Sequence, residues 1–168
     1  MSEKEEIFSS KIKYTGIFSF KDFYKFCYEW LTEETGLNVA ELVYNEKIIP
    51  GNKKEIKVEW EGKRKVTDYF RYVVKVKMEI YQLEDIEAVQ EGVKVKTNKG
   101  MVEVKVKGIL ERDWQGKFEK DAFRKFLRGL YEKWIIPSRI EQYEDKLIND
   151  LDEFLTEAKA FLTLEGKK

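Results

Sequence analysis

The stretch from Gly92 to Gly108, GVKVKTNKGMVEVKVKG, alternates valine with lysine, crosses Asn98-Lys99-Gly100-Met101, and alternates again. A period of two with one apolar and one charged row is the pattern of half-exposed antiparallel strands. Val93, Val95 and Thr97 share a face with Val102, Val104 and Val106 only if the chain reverses between the two halves. Pairing Thr97 with Val102 sets Val95 opposite Val104 and Val93 opposite Val106. The loop then holds Asn98 to Met101, or tightens to Lys99-Gly100 in the same register. A three-residue loop would shift the parity and expose one row of valines. On the other face Lys96 meets Glu103 and Lys94 faces Lys105. The lysines therefore read as the wet side of a sheet rather than as a grip on a phosphate backbone.

Upstream lies the longest alternation in the chain, with Phe70, Tyr72, Val74, Val76, Met78 and Ile80 on one face and Arg71, Lys75, Lys77 and Glu79 on the other. Such a length predicts a strongly twisted or bulged strand. Before it, Ile56, Val58 and Trp60 alternate with Lys57, Glu59 and Glu61, and Gly62 begins the next turn. That places the densest basic run, Lys63, Arg64 and Lys65, at an exposed hairpin tip, a candidate contact for an anionic partner. Pro50-Gly51-Asn52 is a turn signal, preceded by a strand carrying Ala40, Leu42, Tyr44 and Ile48. The first strand spans Ile7 to Phe18, and residues 1–6 read as a flexible charged tail. Ser19 caps a helix bearing Phe20, Phe23, Tyr24, Cys27, Trp30 and Leu31, which Gly36 stops. Cys27 lies inside that apolar stripe and reads as a small core residue rather than a reactive thiol.

After Glu111-Arg112-Asp113-Trp114 the period changes from two to 3.6. Phe123, Phe126, Leu127, Leu130, Tyr131 and Trp134 make one amphipathic helix, broken by Pro137. Ser138 and Glu141 form a capping box for a second, very long helix, whose stripe runs Ile140, Tyr143, Leu147, Leu151, Phe154, Leu155, Ala158 and Leu162. No repeat, linker or low-complexity segment interrupts the chain. Residues 7–164 thus form a single α+β domain: a curved antiparallel sheet of about six strands packed against the long C-terminal helix, with one helix after the first strand.

The 168 residues carry 32 basic and 32 acidic side chains, so the formal net charge is zero, which disfavours a general nucleic-acid binder. Histidine is absent, which removes the commonest general base and the histidine-dependent triads. One cysteine allows no intrachain disulfide, and the glycines show no Walker or dinucleotide spacing. No cofactor is expected. Glu84, Asp85 and Glu87 lack the order of a calcium loop, so no metal is assigned to them. Glu111 and Asp113 read as capping and ion-pairing residues before catalytic ones. No catalytic residue is assigned. The N-terminus is charged, no sequon occurs, and no apolar run nears the ~20 residues that span a bilayer, so a cytoplasmic protein is expected.

Aromatic residues are plentiful, at four tryptophans, nine tyrosines and eleven phenylalanines. Tyr69 and Tyr81 fall on the lysine face and are the only aromatic platform there for stacking a base. Core or interface use is a better reading of the aromatics than base stacking.

The order strand, helix, antiparallel strands, long terminal helix resembles the helix-grip architecture of START and polyketide-cyclase-like domains. That resemblance implies an apolar cavity between the sheet and the terminal helix, and Phe70, Tyr72, Val74, Tyr143, Leu147 and Leu151 are the candidates for an apolar ligand or an interface. The stretches VTDYFRYVVKVKMEI, KVKTNKGMVEVKVKG and LERDWQGKFEKDAFRKFLRGLYEKWI resemble a group of small uncharacterised archaeal proteins, over about residues 55–164. That likeness implies a lineage and no mechanism. Two functions follow as expectations. The first is a non-enzymatic interaction or assembly module that binds itself or another protein. The alternative is a carrier of a lipid or other apolar small ligand.

Overall fold

A computed structural model describes residues 3–117, 121–135 and 137–167 of the chain. Strands β1 (Glu3–Phe18), β2 (Asn38–Ile49), β3 (Lys53–Lys65), β4 (Phe70–Gln90) and β5 (Val93–Arg112) form one antiparallel sheet, in the spatial order β1-β5-β4-β3-β2. Helix α1 (Phe20–Glu29) continues into a π-helical turn, Trp30–Glu34. Helix α2 (Ala122–Leu130) does the same through Tyr131–Ile135, and α3 (Pro137–Lys167) closes the chain. The architecture is the α+β sheet-and-helix arrangement that the periodicity implies, with five strands rather than six.

The missing strand is the expected hairpin. Val93 to Gly108 does not reverse; it lies within one strand, β5, and the reversal falls earlier, at Glu91-Gly92. Both of these residues have positive φ, 52° and 79°, the left-handed geometry of a two-residue turn, and Gln90 pairs with Val93 across it. The parity change between Val95 and Val102 puts the two valine rows on opposite faces of β5, whose register with β1 is unbroken from Phe8 to Phe18. The register of β4 against β5 slips between Tyr81 and Glu84, where Gln82 takes φ 52°, so β4 carries an extra residue. A side chain at Gly100 would stand 3.0 Å from the Tyr81 carbonyl and 3.1 Å from Leu83 Cα. Gly100 is therefore a glycine of close backbone approach rather than of a turn. Past the bulge, Glu84–Gln90 and Val93–Lys99 pair with each other as a ribbon, in which Val93 is exposed and Val95 half-buried.

Two further expectations are corrected. Glu3 to Glu6 are not a free tail but the start of β1, paired with Arg112, Glu111, Leu110 and Ile109. An edge strand whose side chains face water needs no apolar alternation, so its sequence looks like a tail. Gly62 does not start a turn: Lys63, Arg64 and Lys65 continue β3 opposite Val73, Tyr72 and Arg71. Gly62 is small because Leu37 packs on it, 3.1 Å from where a Cβ would sit.

The core lies on the face of the sheet that α1 and α3 cover. Val102, Val104, Val106 and Leu110 of β5 and Phe70, Tyr72, Val74, Val76, Met78 and Ile80 of β4 are buried there. From α3, Leu147, Leu151, Phe154, Leu155, Ala158 and Leu162 meet them. Helix α1 joins through Phe26 and Phe161, whose rings stack at 4.8 Å, and its π-helical turn through Trp30 and Phe154 at 5.5 Å. Ser19 caps α1 as expected, its Oγ accepting from the Asp22 N–H at 3.3 Å. Cys27 is fully buried, and burial pushes its thiol pKa well up. Pro137 opens α3 at a position where its missing N–H costs no hydrogen bond. The side chain of Ser138, the expected cap, lies outside the described residues.

Candidate functional site

The six candidates for an apolar ligand or an interface are brought together in the seam between the sheet and α3. Phe70, Tyr72, Val74, Leu147 and Leu151 are buried, and Tyr143 packs on them half-buried. The Phe70 and Tyr143 rings lie 5.4 Å apart, and the Tyr72 hydroxyl donates to the Tyr143 carbonyl at 2.7 Å. Burial pushes the Tyr72 phenol up to about 12. At the centre of this seam a side chain at Gly108 would fall 2.7 Å from Leu151 Cδ1 and 3.2 Å from Leu147 Cδ2. The helix thus rests directly on the strand at that point.

The basic run is also committed to the fold. Arg64 Nη1 donates to the Thr35 carbonyl at 2.9 Å, beside Gly36, whose φ of 68° turns the chain out of the first helix. Lys63 lies 3.4 Å from Glu61, and Lys65 lies 2.7 Å from Asp68. The lysine face of the sheet is likewise interleaved with carboxylates: Lys105 lies 3.4 Å from Glu103, Lys77 3.0 Å from Glu79 and Lys107 3.8 Å from Glu6. Glu111 is buried and accepts from Arg71 Nε and Nη2 at 2.9 and 2.6 Å, while that guanidinium sits 5.0 Å over the Trp114 ring. Asp113, also buried, takes φ 49° in the turn closed by the Gly116 N–H on its carbonyl. Asp85 accepts from the Asn98 side chain at 2.7 Å. Among the described residues no group of three or more metal-ligating side chains is close enough to hold an ion.

Tyr69, placed by parity on the lysine face, is buried beneath α2. It is the centre of a polar clamp. Its ring meets Phe70 edge-on at 4.9 Å and Tyr131 at 5.4 Å. Its hydroxyl accepts from Arg128 Nε at 2.9 Å and donates to Glu132. Burial, reinforced by Glu132, holds the Tyr69 phenol protonated well above the usual tyrosine range. Arg128 Nη2 reaches Glu3 of β1 at 2.9 Å, and Arg112 of β5 lies 3.0 Å from Glu5 and 3.9 Å from Glu132. One arginine and one glutamate a turn apart therefore tie α2 to a buried phenol and, through Glu3 and Arg112, to two strands.

This clamp decides which way α2 faces. Asp121 caps the helix, accepting from the Arg124 N–H at 2.8 Å. Arg128, the charged residue of the clamp, is only 8% exposed. The apolar stripe on the opposite side points outward: Phe123 is 67% exposed, Phe126 61%, Leu127 38%, Leu130 38% and Trp134 70%. The helix is docked by its polar side, with its hydrophobic side in water. The spacing i, i+3, i+4, i+7 was legible as an amphipathic helix, but the sequence does not say which side a fold will cover. The signal that distinguishes it is the Arg128-Glu132 pair opposite the stripe, meaningful only once Tyr69, Glu3 and Arg112 are placed under it.

Comparison with known protein families and with curated proteins finds no match to this chain. No helix among the described residues is long and apolar enough to cross a membrane.

Proposed function

We propose that the protein is a non-enzymatic interaction module that presents the outward stripe of α2 to a partner surface. The observation that supports it is the inverted docking of α2, whose five large apolar side chains stand in water while a charged residue is buried. Singly exposed apolar residues are ordinary, but a contiguous stripe is not. From the exposures above it amounts to roughly 500 Å² of apolar side chain. Covering it contributes on the order of 10 kcal/mol before the costs of association are subtracted.

The sheet edges offer less. Strand β2 is an edge, with Leu42, Tyr44 and Ile48 exposed, but its register slips at Leu42 and it carries Glu41, Glu46 and Lys47. Bulges and charges of this kind discourage edge-to-edge pairing. Strand β1, the other edge, is bulged between Glu6 and Phe8.

The test is retention on a phenyl matrix, compared between the wild-type chain and a Phe126→Glu/Leu130→Glu double variant. The reading requires the double variant to elute markedly earlier with an unchanged melting temperature. A fall of more than ~2 kcal/mol in its stability would show that the stripe is core, and the reading would fail.

A further inference from the structure

We infer that the α2 stripe is an in-plane docking element for an anionic lipid surface, an inference that rests on the interaction-module reading. Three observations carry it. The first is chemistry: the stripe consists of Phe123, Phe126, Leu127, Leu130 and Trp134, and bulky aromatic and leucine side chains on one helical side are what inserts into the headgroup and acyl boundary.

The second is charge. In a chain whose formal net charge is zero, residues 121–135 hold Arg124, Lys125, Arg128 and Lys133 against Asp121 and Glu132. At ~100° per residue Arg124 falls on one flank of the stripe, and Lys133 falls on the other. Both are exposed, and Lys133 Nζ lies 5.4 Å from the Trp134 ring. Of the acidic residues, Glu132 is engaged with Tyr69 and Arg112, and Asp121 caps the helix with its carboxylate 3.6 Å from Arg124 Nε. A stripe bordered by cations suits a surface of phosphates above an apolar layer. The same border would repel its own image in a symmetric self-association.

The third is size. Roughly 500 Å² is well below the ~800 Å² per partner of a stable protein interface, but one helical side is all that an in-plane helix buries. The clamp through Arg128, Tyr69 and Glu132 holds the helix on the sheet, so lipid contact requires no unfolding.

The experiment is co-sedimentation of the full chain with vesicles of phosphatidylcholine alone or mixed with phosphatidylglycerol. We expect binding to the mixed vesicles only, weakened by salt and accompanied by a blue shift of tryptophan emission. Phe126→Glu abolishes it, and Arg124→Glu/Lys133→Glu lowers partition roughly tenfold or more. Binding that is equal on both vesicle types, or unaffected by these substitutions, overturns the lipid assignment. Absence of binding overturns it too, and sedimentation velocity then separates the causes. A dimer abolished by Phe126→Glu would leave the interaction module standing with a protein partner. A Phe126→Glu chain that no longer folds would remove both.

Discussion

The stripes of α2 and α3 are written in the same alphabet and meet opposite fates. In α3, Leu147, Leu151, Phe154, Leu155 and Leu162 are buried on the sheet. In α2 and its π-helical extension, Phe123, Phe126, Leu127, Leu130 and Trp134 are exposed. What differs is the other side of each helix. The α3 stripe rests on apolar residues of β4 and β5, and its polar residues stay at the surface, where Lys159 donates to the Lys13 carbonyl. Beneath α2 lie Tyr69, Arg112 and the carboxylates of Glu3 and Glu5, so its Arg128 and Glu132 find partners inward. The lesson is that amphipathicity names two sides without saying which one the fold will use. A charged network already in place can outcompete a hydrophobic one for the same helix.

The largest effect that sharpens this contrast comes from truncating one leucine in each stripe. Leu151→Ala should lower unfolding free energy by roughly 3–5 kcal/mol, because the site is fully buried and α3 cannot collapse onto Gly108 without moving. Leu130→Ala should change it by less than about 1 kcal/mol. Urea denaturation measures both, and similar losses would break the comparison.

Next in size is the clamp. Arg128→Met should cost about 2 kcal/mol, because it strips the buried Tyr69 hydroxyl and Glu132 of a charged donor. Hydrogen exchange should then rise over Ala122–Ile135 and stay unchanged over α3.

Smaller still is a pH effect. The folded Tyr69 phenol is raised above its unfolded value of about 10. Its contribution is therefore complete below that pH and lost as pH rises above it, because the unfolded chain gives up the proton first. Tyr69→Phe should weaken stability at neutral pH by about 1 kcal/mol and flatten the alkaline decline. An alkaline decline as steep as that of the wild type would place the titration elsewhere, with Tyr24 and Tyr72 as the next tyrosines to replace.

Much of the fold was legible. The face of β4 from Phe70 to Ile80, the cap at Ser19, the turn at Pro50-Gly51-Asn52 and the stripe of α3 all follow from period and turn chemistry. Two of the differences concern glycines that look like turns in the sequence and are not. Gly62 and Gly100 are small because Leu37 and the bulged β4 backbone crowd them, and neighbours of that kind are remote in sequence. The true turn, Glu91-Gly92, was hidden because glutamate is not among the residues that favour positive φ. The candidate site was half legible. Its apolar residues were visible as a stripe, but the clamp joins residues from 3 to 132 that only the sheet brings together.

The most direct measurement is a labelling comparison between Phe126→Cys in α2 and Leu155→Cys in α3. Each is exposed to a maleimide as folded, dilute, monomeric protein without vesicles, with buried Cys27 as the internal reference. The cysteine at 126 should react nearly as fast as in the urea-unfolded chain. The one at 155 should react at least ~100-fold more slowly, because it is reached only by opening of the core. Equal protection at the two positions would mean that α2 covers its stripe as α3 does, and would contradict the account.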